Sequence, residues 1–291
     1  MMRWEGVMPA ITTPFREDLS VDHDFLERHA AWLVEHGSSG IVALGSLGEG
    51  ATLELDEKIA VLKTCVRATQ VIAPVIAAVS ALSTAAAVRM AREAESCGCQ
   101  GLMILPPYVY VSDWREMKAH LVAVLRATKL SCMLYNNPIA YRTDFLPEHI
   151  AELAREEENL HAVKESSGDV RRITAIRALT DLAVFVGLDD VIVEGIEAGA
   201  VGWIAGLANA LPDESVALFD RARRGEKDEA LYRWFLPLLR LDTLPKFVQL
   251  IKLVQAEVGM GSPRVRPPRL ELENDTELHM IREVLAHRPK L

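Results

Sequence analysis

Leu160-His161-Ala162-Val163-Lys164-Glu165-Ser166-Ser167 is a short, mostly apolar run that ends in a lysine, a glutamate and two serines. A run of this length, bounded by turn-forming residues, reads as a buried β-strand over Leu160–Glu165. Similar runs lie on both sides of it: Met8–Thr13, Gly40–Gly45, Pro74–Val79, Gly101–Leu105, Ser131–Asn136, Ala183–Gly187 and Gly202–Gly206. Helical patterns follow each of them in turn, at about 22–36, 54–69, 83–96, 113–127, 147–155, 169–179, 190–198 and 212–224. Strands that each lead into a helix, repeated through the chain, predict an α/β fold of the closed (β/α)8 TIM barrel type. An open doubly wound sheet usually carries a glycine-rich dinucleotide loop after its first strand, and Thr12-Thr13-Pro14-Phe15 is nothing like one.

The strand signal stops after residue 225. Asp228–Leu239, Thr243–Glu257 and Thr276–Ala286 read as helices, with a proline-rich turn at Ser262–Pro268. The expected organisation is therefore a catalytic barrel over 1–225 and a C-terminal helical extension over 226–291. The chain has 291 residues, 50% hydrophobic and 25% charged, with a formal charge of -9. That composition suits a globular enzyme and argues against a nucleic-acid partner. The segment RARRGEK (221–227) reads as the polar end of a surface helix. No membrane association is expected. MMRWEGVMPAITTPF lacks the apolar core of a secretory signal, and Val71–Leu82 is far shorter than the ~20 residues a membrane helix needs. Cys65, Cys97, Cys99 and Cys132 show no C-x-x-C spacing and read as free thiols in a reducing cytoplasm.

In an α/β barrel, chemistry gathers at the carboxyl ends of the strands. A lysine at such an end is either a charge that has reached solvent or a desolvated amine whose neutral form is populated and nucleophilic. The second state is what imine chemistry on a carbonyl requires. After the predicted second strand, Gly45-Ser46-Leu47-Gly48-Glu49-Gly50 reads as a tight turn or as a small anion cradle of backbone N–H groups and the Ser46 hydroxyl. Tyr135, at the end of the fifth strand, shares inward parity with the lysine on the next strand. It reads as a proton shuttle or as a capped core tyrosine. Asp189 and Asp190 read as the N-cap of a helix rather than as metal ligands. Seven histidines fall on predicted helices or surface turns, and His161 lies at the entry end of its strand, so no metal site is expected.

Met8-Pro9-Ala10-Ile11-Thr12-Thr13-Pro14-Phe15, GSLGE (45–49), YNNP (135–138), VKESSGD (163–169) and Gly202-Trp203-Ile204-Ala205-Gly206, in this order, resemble the dihydrodipicolinate synthase / N-acetylneuraminate lyase superfamily. The resemblance implies a lyase in which Lys164 forms an imine with a 2-oxo acid and Tyr135 relays protons. It also implies that Ser46 and the backbone N–H of Leu47 bind the substrate carboxylate, while Gly187 and Ile204 line the pocket. No cofactor beyond the covalent lysine imine is implied, and the assembly expected is a homodimer or homotetramer.

Three departures bear on the substrate. Leu47 and Val109 stand where dihydrodipicolinate synthases usually have a threonine and a relay tyrosine. The arginine that usually follows the strand-5 proline is displaced to Arg142, behind Ile139-Ala140-Tyr141. Over the whole chain, GSLGEGATL, LPPYVY, CMLYNNPIAYRTDF and LDTLPKFVQLIKL are most similar to the 1-pyrroline-4-hydroxy-2-carboxylate deaminases of hydroxyproline degradation. That reading implies conversion of the cyclic imine to 2-oxoglutarate semialdehyde and ammonia, with Tyr141 or Arg142 contacting the 4-hydroxyl. The alternatives are an aldolase or dehydratase of 2-keto-3-deoxy sugar acids, a 4-hydroxy-tetrahydrodipicolinate synthase, or a catalytically silent barrel that binds a 2-oxo acid.

Overall fold

In the computed structural model, which describes residues 2–70, 72–108, 110–273 and 275–291, eight parallel strands form one sheet ordered β1-β8-β7-β6-β5-β4-β3-β2. The strands are β1 (Gly6–Pro9), β2 (Ile41–Ala43), β3 (Val75–Val79), β4 (Gly101–Ile104), β5 (Ser131–Asn136), β6 (Leu160–Glu165), β7 (Ala183–Val186) and β8 (Gly202–Ala205). A parallel bridge between Ala10 and Val42 joins the first strand to the second and closes the (β/α)8 barrel. The first strand is shorter than its apolar run suggested. Proline at its end removes a ladder donor, and the two threonines that follow bond elsewhere. Thr12 Oγ1 donates to Gln255 Oε1 at 2.9 Å, and Thr13 Oγ1 donates to the Gly48 carbonyl at 2.6 Å.

The helices α1 (His23–Glu35), α2 (Leu55–Thr69), α3 (Thr84–Ser96) and α4 (Trp114–Leu125) start where capping residues dictate. Asp22, Ser83 and Asp113 each accept from the backbone N–H three residues on, and Glu54 with Glu57 closes a capping box. A short helix absent from the sequence reading, α5 (Pro138–Tyr141), follows β5. The outer layer continues with α6 (Pro147–Glu156), α7 (Arg171–Leu179), α8 (Ile192–Glu197) and α9 (Pro212–Arg223).

The chain then continues as α10 (Glu229–Leu239), a 3-10 turn (Arg240–Thr243), α11 (Phe247–Glu257) and α12 (Asp275–Ala286). The helix expected from Thr243 begins only at Phe247. Pro245 forbids the helical region to Leu244, which is extended at φ -88° and ψ 152°. The aromatic residues of this segment face the protein: Phe235 is buried, the Trp234 indole donates to the Val284 carbonyl at 2.8 Å, and Phe247 lines a cavity at the barrel mouth. The four cysteines are unpaired. Among the described residues no helix is long and apolar enough to cross a membrane.

Candidate active site

Lys164 and Tyr135 face each other because β5 and β6 pair in a register that sets them side by side. Residues at matched positions of neighbouring strands project to the same face of the sheet. The Lys164 Nζ stands 4.2 Å from the centre of the Tyr135 ring, and both side chains are buried, at 7% and 6% exposure. Among the described residues Nζ donates no hydrogen bond. Burial pushes the amine below its ordinary value of 10.5, opposed most by the charge of Asp242 and then by Tyr141 and Asp189. A desolvated amine without an acceptor has a free lone pair whenever it is neutral.

Gly187 follows β7 and makes room for this lysine. A Cβ built there would fall 1.9 Å from Ser166 Oγ and 2.7 Å from Lys164 Cε, so any larger residue displaces the lysine stem. Gly187→Ala is expected to lower kcat by about 10²-fold, the usual penalty for moving a reacting group by ~1 Å. Circular dichroism should remain that of the parent. An alanine variant with parental kcat would show that the stem has slack.

The loop after β2 turns back sharply. Leu44 and Glu49 have φ of 67° and 52°, and a Cβ on Gly50 would lie 2.1 Å from the Leu44 carbonyl oxygen. This holds the Ser46 hydroxyl and the backbone N–H groups of Ser46 and Leu47 at the cavity, with those N–H groups donating to no acceptor among the described residues. The loop is fixed from outside by a buried ion pair between Glu49 and Lys252 of α11. Lys252 Nζ also donates to the Thr13 and Arg264 carbonyls at 2.8 Å, and the second Glu49 oxygen accepts from Arg266 N at 3.0 Å.

The tyrosines form the wall opposite. Asn137 Nδ2 donates to the Tyr135 hydroxyl at 2.9 Å, while its carbonyl oxygen accepts from Ala140 N and caps α5. That helix swings Tyr141 over the cavity, edge-on to Tyr135 with ring centres 5.7 Å apart and hydrogen-bonded to the Ser46 hydroxyl. Burial raises Tyr135 to about 12 and raises Tyr141 as well. Leu47, Gly187 and Ile204 line the same cavity of about 540 Å³, which holds all the expected residues except one. Arg142 is exposed and turned out of the cavity, because it ends α5 in the left-handed region at φ 55°. Val109 lies outside the described residues.

Two carboxylates were not foreseen. Asp189 is no helix cap: α8 starts three residues later, and the Asp189 side chain is fully buried. It accepts from the Trp203 indole at 2.9 Å and from Gly206 N and Leu207 N, at 2.8 Å for Leu207. Asp242, from the 3-10 turn after α10, reaches the cavity wall and accepts from Asp189 N at 3.4 Å. The signal for it was a lone acid in the apolar stretch Leu236–Pro245. Among the described residues no group of three His, Cys, Asp or Glu side chains is arranged to hold a metal ion.

Comparison with known proteins gives a consistent result. The sequence model of the dihydrodipicolinate synthetase family matches residues 3–287. A 4-hydroxy-tetrahydrodipicolinate synthase of Moorella thermoacetica is 34% identical over 271 residues, which cover 92% of each chain. One of Methanosarcina mazei is 30% identical over 286 residues, or 97% of each. The solved structure of a putative dihydrodipicolinate synthetase from Pseudomonas aeruginosa has a TM-score of 0.93 at 31% identity, covering 98% of this chain and 99% of its own.

Proposed function

We propose that this chain, which belongs to the dihydrodipicolinate synthetase family of lyases, condenses Lys164 with C2 of a 2-oxo acid or of its cyclic imine. The observation that carries the reading is the buried Nζ, without a hydrogen bond among the described residues, held 4.2 Å over a phenol ring in a cavity. The free N–H groups of Ser46 and Leu47 would take the substrate carboxylate and orient C2 toward the amine. The iminium then withdraws electrons from C3, which makes loss of a C3 proton feasible. No cofactor is needed in this scheme beyond the lysine imine itself.

For the substrate we favour 1-pyrroline-4-hydroxy-2-carboxylate. Leu47 puts an alkyl group into the wall, Tyr141 brings a hydroxyl over the site, and Arg142 is turned away from the cavity. Lys164 attacks C2 and the ring nitrogen leaves as a free amine. Loss of a C3 proton, assisted by Tyr135, gives an enamine that expels the 4-hydroxyl as water. The C5 amine tautomerises to an imine, and hydrolysis of both imines yields 2-oxoglutarate semialdehyde and ammonia. A second reading, 4-hydroxy-tetrahydrodipicolinate synthase, is favoured by the names of the relatives. Ammonia release from the hydroxy-pyrroline carboxylate, assayed beside pyruvate release from keto-deoxy sugar acids and pyruvate consumption with aspartate semialdehyde, decides among them. Absence of ammonia release would remove the deaminase reading.

Tyr135→Phe is expected to reduce kcat by 10²- to about 10⁴-fold, the range for loss of a positioned acid–base group. Its borohydride adduct at Lys164 should still form, more slowly. Unchanged turnover in this variant would deny the phenol its part. We further read 1–225 as the catalytic barrel and 226–291 as an extension that completes the cavity wall, in a cytoplasmic protein. Leu82, Tyr110 and Val111 are exposed large apolar side chains. They favour assembly as a homodimer or homotetramer.

A further inference from the structure

Two carboxylates stand in the cavity wall, Glu49 and Asp242. Glu49 is committed on both oxygens, to Lys252 on one and to Arg266 N on the other. Asp189, just behind the wall, spends both oxygens on Trp203, Gly206 and Leu207. Glu165 is likewise tied, to Asn136 and to Ser167 N. Asp242 differs. Its Oδ2 accepts from Asp189 N, and its Oδ1 has no hydrogen bond among the described residues. The turn holding it comes close because Gly206 has no side chain: a Cβ there would lie 3.1 Å from both Asp242 Oδ1 and Asp189 Oδ2.

We infer that Asp242 is a further catalytic residue, the acid that protonates the group leaving C2 as Lys164 becomes an imine. The inference rests on the imine reading of Lys164. In the carbinolamine formed from a 2-oxo acid, the lysine nitrogen lone pair forms C2=N while the C2–O bond breaks. The Asp242 proton passes to that oxygen, water departs, and the carboxylate is left facing the new iminium cation. With a cyclic imine the same proton goes to the ring nitrogen. Tyr135 is poorly suited to this step, since burial holds its proton until about 12, and the Tyr141 hydroxyl is engaged with Ser46.

Lys164, Asp190, the backbone N–H and the carboxylate of Asp189, and the Tyr135 phenol all bear on Asp242, and burial raises it to about 6. Lys164 is lowered from 10.5. The reactive form therefore has an acid and a neutral amine that share one proton. Between the two titrations its population is constant. It falls below about 6, where both groups are protonated, and at high pH, where neither is.

The test uses pyruvate, with borohydride trapping rates measured across pH for the intact parent, Asp242→Asn and Asp242→Glu. The parent should give a bell whose acid limb lies near 6. Asp242→Asn should trap about 10²-fold more slowly, with the acid limb gone and a single rise toward high pH. Asp242→Glu should restore the bell. A parent profile without the acid limb, or an asparagine variant with parental rate and profile, would overturn the role of Asp242 while leaving Lys164 as the nucleophile. A parent that traps no pyruvate at any pH would overturn the imine reading itself.

Discussion

Lys164→Ala is expected to lower kcat/KM by on the order of 10⁵-fold and to abolish the borohydride-trapped adduct, because removing a covalent nucleophile removes the whole pathway rather than one contribution to it. Lys164→Arg should be nearly as inactive. A guanidinium stays charged at any working pH, so it offers no lone pair even in the same cavity. Both variants should fold, since Nζ makes no hydrogen bond among the described residues and its removal strands no partner. In the parent, the pH at which the amine becomes available should fall below the 10.5 of an ordinary lysine, because burial disfavours its charged form. Mass spectrometry of the reduced protein with substrate is the direct measurement. An adduct of equal yield in Lys164→Ala would move the nucleophile elsewhere.

Lys252→Met should cost about 3–5 kcal/mol, since it leaves the buried Glu49 carboxylate without its cation. Nζ is hydrogen-bonded to Glu49 and to two carbonyls, and the side chain is only 2% exposed, so water is poorly placed to substitute. Glu49→Gln alone should be costly for the same reason in reverse. Lys252→Met combined with Glu49→Gln should recover part of the loss, because neither partner is then a stranded charge. Urea unfolding of the single and paired variants gives the coupling. KM should rise in Lys252→Met, since Glu49 belongs to the turn that carries Ser46 and Leu47. Additive losses in the pair would indicate two independent contacts.

β5 and β6 are read to the residue because each is an apolar run stopped by an abrupt change of character, at Asn137-Pro138 and at Ser166-Ser167. Lys164 and Tyr135 were found from the same two strands, as alternation along a strand fixes which side chains share a face. Ser46 was legible from its glycine-rich loop after a strand, whereas the places of Leu47, Gly187 and Ile204 came from the family resemblance. The failures are of another kind. Four-residue α5 is too short to show a helical period, so Tyr141 was placed only by its position in the sequence and Arg142 was expected inward. Asp189 sits where a cap commonly sits, but an indole and two backbone N–H groups from β8 and its loop claim it. Asp242 reaches the cavity from outside the barrel, through a turn that the helical pattern around it conceals. Contacts made by distant segments leave no period to read.

The Tyr141 and Ser46 hydroxyls are bonded to each other, and either can be the donor. A serine hydroxyl has one hydrogen to give and two lone pairs, so a carboxylate that takes that hydrogen leaves the phenol bonded as the donor. Binding there would then fix the direction of a hydrogen bond already in place, and the ring would stay where it is, over the reacting molecule.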